Sequence, residues 1–185
     1  MLYLLYLIIT ILLLLALYLV RKGGKILFQI IRGYGVPNVT SHQKIWDALI
    51  KELSLKTWDV FLDLWAGEGK IVAQVQQAFP GANCIGIEYA PEAYTLALKY
   101  KETSWWTYTL LKENIFSAHL SCAMHLYCYL MPHLMEKLWA KVSTKAKPWT
   151  LLYVNAFPIK SQTPLKHIII ESSEKFVKQL FVYEV

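Results

Sequence analysis

The sequence predicts a doubly wound α/β domain with a mostly parallel sheet and a C-terminal antiparallel hairpin, preceded by one N-terminal transmembrane helix. Three observations predict it. From residue 57 onward, short apolar runs alternate with stretches of helical period, the order of an α/β sheet. The first run ends in a carboxylate and a glycine-framed turn, Asp63-Leu64-Trp65-Ala66-Gly67-Glu68-Gly69. The chain also opens with a long apolar stretch, Met1 to Val20, that carries no charged side chain.

That opening stretch is long enough to cross a hydrocarbon core, since twenty helical residues span roughly 30 Å. Tyr3, Tyr6 and Tyr18 stand where interfacial aromatics sit, and Arg21-Lys22-Gly23-Gly24-Lys25 stops the span. A cleaved signal peptide fits less well: there is no basic leader and no small-x-small cleavage site, and the apolar stretch is too long. Residues 21–56 then hold seven Lys/Arg against Asp47 and Glu52, whereas residues 57–185 hold twelve Lys against eleven acids. Positive charge is therefore a collar beside the span rather than a basic face on the folded domain. A collar predicts anionic lipid and a cytoplasmic (or matrix) location for the domain, and argues against nucleic acid as a partner. Three cysteines without C-x-x-C spacing, and histidines without H-E-x-x-H spacing, predict neither a disulfide framework nor a metal site.

The predicted organisation is thus a transmembrane helix at 1–20, a juxtamembrane segment at 21–56 and a catalytic domain at 57–185. Ile26–Ile31 extend the first helix. Gly33 to Val39, with two glycines and Pro37, form a loop read either as a linker or as a lip over one end of the sheet. Thr40 or Ser41 caps a helix running to about Leu53, with Ile45, Ala48, Leu49 and Leu53 on its inner face. Trp58–Leu64 is the first strand, and the helix after Gly69 runs to about Phe79 with Ile71, Val72, Val75 and Ala78 inward. Pro80-Gly81 ends it. Cys84–Glu88 is the second strand, and Glu92–Tyr100 a helix with Pro91 in its first turn. Trp105–Leu111 and Met124–Leu130 are the third and fourth strands; Pro132 opens a helix to about Lys141, and Trp149–Asn155 is the fifth strand. Leu165–Glu171 and Gln179–Val185 close the domain as an antiparallel pair.

In such a sheet the ligand lies beyond the carboxyl ends of the strands, where strand order reverses. Gly67 and Gly69, with Trp65 and Ala66 in the same turn, bring backbone close to that ligand. Glu88 falls where a carboxylate takes both ribose hydroxyls, with Tyr89 beside it. Two features argue against a dinucleotide. Val72 stands where G-x-G-x-x-G has its third glycine, and Asp63 at the strand end would repel a pyrophosphate but suits an ammonium group. A ligand with an adenosine ribose, an ammonium and no phosphate is S-adenosylmethionine.

These residues resemble class I (seven-β-strand) S-adenosylmethionine-dependent methyltransferases over roughly residues 57–185. Asp63 to Gly69 resembles their D-x-G-x-G-x-G motif, with Trp65 replacing its first glycine, and Gly86-Ile87-Glu88 resembles their second-strand acidic motif. The layout further resembles the small membrane-anchored protein-lysine methyltransferases that modify the ATP synthase c-subunit and the adenine nucleotide translocase. The shared features are the N-terminal span, Tyr34-Gly35-Val36-Pro37, Tyr129 to Leu138 and Asn155-Ala156-Phe157-Pro158. The resemblance implies that Asn114 stands at the adenine contact, where an acidic residue is common, and that Met124 replaces a frequent Asp.

A lysine nucleophile must lose its proton, which an apolar aromatic pocket favours by depressing its pKa. Tyr127, Tyr129 and Pro132, around the end of the fourth strand, are the expected pocket residues. His133 is expected to be a surface residue at a helix start. The expected activity is a membrane-anchored protein-lysine N-methyltransferase acting on a membrane protein. The alternatives are a methyltransferase for a lipid or quinone-like molecule, and a cofactor-binding scaffold without turnover.

Overall fold

A computed structural model describes residues 2–31, 43–105, 107–170 and 178–185. The chain divides into two compact units, Met1–Pro37 and Asn38–Val185. Of the sequence expectations, the Gly/Pro loop, the cap at Thr40 or Ser41, Trp106 of the third strand and Glu171 of the hairpin lie outside the described residues.

The first unit contains α1, Leu2–Ile31. Its backbone stays helical through Arg21–Lys25, so the basic cluster and both glycines sit inside the helix rather than ending it. Within it, Tyr6–Gly24 is long and apolar enough to cross a membrane, and none of that stretch is buried in the protein.

The second unit holds one seven-stranded sheet. In chain order its elements are α2 (Gln43–Glu52), β1 (Val60–Asp63), α3 (Lys70–Ala78), β2 (Asn83–Ile87), α4 (Pro91–Thr103) and β3 (Thr109–Leu111). There follow β4 (His125–Cys128), α5 (Pro132–Lys145), β5 (Leu151–Asn155), β6 (Lys166–Ile170) and β7 (Lys178–Glu184). The spatial order is β3-β2-β1-β4-β5-β7-β6. The first five strands pair in parallel, while β7 runs antiparallel between β5 and β6. The order reverses between β1 and β4, which puts a crevice beyond Asp63 and Tyr127 at the carboxyl edge.

The parallel strands are buried on both faces, as their unbroken apolar runs require. On one face Phe61, Cys84, Tyr127, Tyr153 and Val182 pack with Leu49 of α2 and Val72 and Val75 of α3. On the other, Leu62, Leu126, Cys128, Leu152 and Val154 pack with Met135, Leu138 and Val142 of α5 and with Ile115 and Leu120 of the β3–β4 connection. α2 lies against β7, β6 and α3. Its last residue, Glu52, pairs with Lys166 at the start of β6, and the Glu52 carbonyl accepts a 3.5 Å bond from Tyr153 Oη. α2 therefore enters from the carboxyl edge and descends to the amino edge, where it feeds β1.

The strands are shorter than the apolar runs that predict them, and tryptophan explains part of the excess. Trp58 and Trp149 both lie at positive φ (74° and 70°) and stand 78% and 74% exposed. Their amides leave the ladder to donate to the carbonyls of Gly81 and Val185. They are turn residues before β1 and β5, although the residue type favours strands. On α3 the expected inward Ala78 is exposed, and Ala73 and Gln76 are buried instead. Gln76 tolerates burial because Nε2 donates to the carbonyls of Phe79, Pro80 and Ala82 while Oε1 accepts from Cys84 N. A fully bonded amide ties the end of α3 to β2.

Candidate functional site

The turn after β1 is built almost entirely from backbone bonds to its neighbours. Leu64 N donates to the Tyr127 carbonyl, Ala66 N to Ile87, and Gly69 N to Ala66 at 2.7 Å. Gly67 (φ 55°) and Gly69 (φ 78°) take the left-handed region that side chains resist, and Gly69 is the N-cap of α3. Trp65 is not among the positive-φ residues, so the departure from glycine there carries no left-handed penalty. Its ring packs on the core layer under α5, and its amide donates to Asp63 Oδ1 at 3.2 Å.

Glu88 follows β2 directly and is 2% exposed. One carboxylate oxygen accepts Gly67 N at 2.9 Å and the other accepts Ala90 N at 2.7 Å. The acid thus stitches the glycine turn to the start of α4. Asp63, 1% exposed, ends β1 beside Gly86 and Tyr127. Burial pushes its carboxyl up to about 7, Trp65 N–H opposes that rise, and repulsion from Glu88 adds to it. Burial likewise raises Glu88, against its three backbone N–H donors.

Gly86 matters for a reason that reading the acidic motif does not reveal. A Cβ there would meet Ala66 Cβ at 2.9 Å, Leu110 Cδ2 at 3.1 Å and Val72 Cγ1 at 3.2 Å. Only a bare backbone lets the turn lie this close to β2.

Tyr89 is half exposed beside Glu88. Asn114 uses Oδ1 to accept Phe116 N at 2.9 Å, while its carbonyl accepts the amides of Ser117 and Ala118. It organises the turn after β3, and a carboxamide oxygen retains a second lone pair.

At the ends of β4 and β5 the expected pocket residues occupy different depths. Tyr127 is 1% exposed, and its hydroxyl accepts Asn155 Nδ2 at 3.1 Å. It lies beneath the edge and holds Asn155. Tyr129, two residues on, is half-buried and stacks on Phe157 with ring centroids 6.4 Å apart. Pro132 is exposed at the first turn of α5, and His133 beside it is exposed too. Phe157 and Gln179 were not singled out as site residues from sequence. Phe157 had a signal as part of Asn155-Ala156-Phe157-Pro158 just past the fifth strand, whereas Gln179 offers only a polar residue in β7. Among the described residues no group of three His, Cys, Asp or Glu could hold a metal ion.

Comparison with known proteins fits this geometry. The model of the ANTKMT methyltransferase domain matches residues 63–166, more than half of the chain. A protein-lysine N-methyltransferase of Saccharolobus islandicus (strain REY15A) is 25% identical over 138 residues, covering 74% of this chain and 86% of its own. Among solved structures, an RNA methyltransferase from Salinibacter ruber in complex with S-adenosyl-L-homocysteine superposes with a TM-score of 0.70. It is 21% identical and covers 79% of this chain and 93% of its own. A precorrin-6y C5,15-methyltransferase from Geobacter metallireducens GS-15 superposes with a TM-score of 0.61 at 11% identity, covering 81% and 93%. At such identities the two structures speak for the fold alone.

Proposed function

The chain belongs to the ANTKMT methyltransferase family and is an S-adenosylmethionine-dependent methyltransferase, and on that premise we propose that it methylates the Nζ of a lysine in a membrane protein. The observation that carries the lysine reading is the similarity to the protein-lysine N-methyltransferase of Saccharolobus islandicus, joined to an aromatic rather than acidic pocket edge. The membrane reading rests on Tyr6–Gly24, which is apolar and unburied, with Arg21 and Lys22 at its end. In this reading α1 anchors the chain and residues 57–185 work on the cytoplasmic (or matrix) side.

The donor set fits the cofactor. Glu88 is the acceptor for ribose hydroxyls, held rigid by Gly67 N–H and Ala90 N–H. Asp63 is the acceptor for the ammonium. A carboxyl raised to about 7 is half charged at neutral pH, and a cation beside it favours the charged form. Gly67 and Gly69, with Ala66 and the Trp65 backbone, form the floor of the site; Tyr89 and Asn114 flank the adenosyl moiety. When bound, S-adenosylmethionine supplies a methyl group on a sulfonium, and its transfer to an amine is an in-line displacement.

The chain's own task is then to position and desolvate the amine. Tyr129 and Pro132 line its approach. Tyr127 acts from below by fixing Asn155. An apolar rim lowers the pKa of the incoming ammonium, so the proton leaves to solvent before attack. No side-chain base is required of this site.

The test is transfer of labelled methyl from S-adenosylmethionine into membranes lacking the endogenous protein. Label in a protein band that maps to lysine upholds the reading. Label confined to the lipid extract would overturn the acceptor assignment and favour a lipid or quinone-like acceptor.

A further inference from the structure

The segment after β5 is more heavily tethered than a connecting loop needs to be. Ala156 takes a left-handed conformation (φ 68°), which a non-glycine residue resists. Gln179 of β7 grips it from both sides: Ala156 N donates to the Gln179 carbonyl, and Gln179 Nε2 donates to the Ala156 carbonyl at 3.0 Å. Gln179 Oε1 is in turn bonded to His167 Nε2 at 3.0 Å. Further along, Ile159 N donates to Tyr183 Oη at 2.9 Å. The carboxylate of Glu136 on α5 then accepts Lys160 N, Ser161 N and Ser161 Oγ. Between these clamps sits Phe157, the residue that stacks on Tyr129.

The stack spans the edge of the sheet. Tyr129 packs on the core layer under α3, while Phe157 packs on the layer under α5. Their planes differ by 24° with centroids 6.4 Å apart. A guest between two rings needs about 4 Å of contact on each side, roughly 8 Å in all, so nothing enters between them. The pair is one continuous aromatic wall at the ends of β4 and β5. Tyr129 stands two residues beyond Tyr127, the register partner of Asp63.

We propose that Phe157, with Tyr129, forms the wall against which the acceptor's alkylammonium chain lies, and that Gln179 is a positioning residue setting the wall's angle through Ala156. The aliphatic stem packs on the aromatic wall, and the positive charge that develops on Nζ as the neutral amine takes the methyl gains a cation–π contact, which fits a lysine better than an amide or hydroxyl acceptor. The inference rests on the lysine reading above.

The test uses the full-length protein, with a detergent-solubilised, hypomethylated membrane-protein fraction titrated as acceptor. Phe157→Leu should raise the half-saturating acceptor concentration about tenfold, while cofactor affinity stays within about twofold. Phe157→Tyr should match wild type. Gln179→Leu should raise the acceptor KM with a smaller change in kcat, a split that general destabilisation would not produce. Should Phe157→Leu fail to fold, Phe157→Met repeats the test. An unchanged acceptor KM in Phe157→Leu, or an equal loss of cofactor affinity, overturns the wall. Wild-type transfer to a non-lysine acceptor would overturn the lysine reading and, with it, the assignment of the wall to an alkylammonium chain, whereas an unchanged KM on a lysine acceptor would overturn the wall alone.

Discussion

Replacing Asp63 by Asn isolates the electrostatic cost of the site. The isosteric amide keeps an oxygen for Trp65 N–H and removes the charge. In the folded protein the Asp63 carboxyl is raised from 3.8 to about 7, so the native state holds its proton more tightly than the unfolded chain does. A carboxyl shifted in this direction lends stability that is fully present below pH 3.8 and is lost as pH rises towards and past 7. At about 1.4 kcal/mol per pH unit, the ionised group costs the cofactor-free fold about 4 kcal/mol at pH 8, an upper figure before relaxation. Asp63→Asn without cofactor should therefore melt higher than wild type at pH 8 and close to it at pH 4. The opposite holds for binding. Wild-type affinity for S-adenosylmethionine should rise as pH climbs from 6 to 8, as the carboxylate becomes charged, and Asp63→Asn should bind weakly and without that slope. Calorimetric melting and titration at matched pH values measure both. A variant no more stable at pH 8 than wild type, or one that retains the pH-dependent affinity, would refute the assignment of Asp63 to the ammonium.

Two further substitutions probe the packing of the glycine turn and the strain just before β1. Gly86→Ala forces a Cβ to within 2.9 Å of Ala66 Cβ and should cost about 1–3 kcal/mol in thermal unfolding, with cofactor affinity falling as the turn is pushed outward; unchanged stability would mean that the turn relaxes freely. Trp58→Gly relieves an exposed residue at φ 74° far from the cofactor edge. It should leave activity unchanged and stability within about 1 kcal/mol of wild type, with relief of the left-handed strain set against the looser unfolded chain, as chemical denaturation would show.

The legible parts were those governed by local chemistry. Asp63, the two glycines and Glu88 stand out because a strand end, a tight turn and a second strand end each leave a residue-type signature at fixed spacing. Helix starts at Pro91 and Pro132 were legible for the same reason. The strand limits were not, since Trp58 and Trp149 favour strands by type but leave the ladder to bond with Gly81 and Val185, and those partners lie far away in sequence. Ala78 and Gln76 exchange burial because the amide of Gln76 finds four partners at the end of α3, a gain that periodicity does not register.

By itself the sequence determined the order of strands and helices, the apolar N-terminal helix and the glycine turn after β1. Each depends on residues adjacent or one turn apart, where propensity and spacing act directly. Only the tertiary structure decided that Tyr127 lies under the edge holding Asn155, that Gly86 makes room for Ala66, and that Phe157 meets Tyr129. Those outcomes depend on contacts between residues 20 or more positions apart in the chain. Their geometry is set by how β1, β2, β4 and β5 register side by side and by how β7 grips the chain as it leaves the sheet.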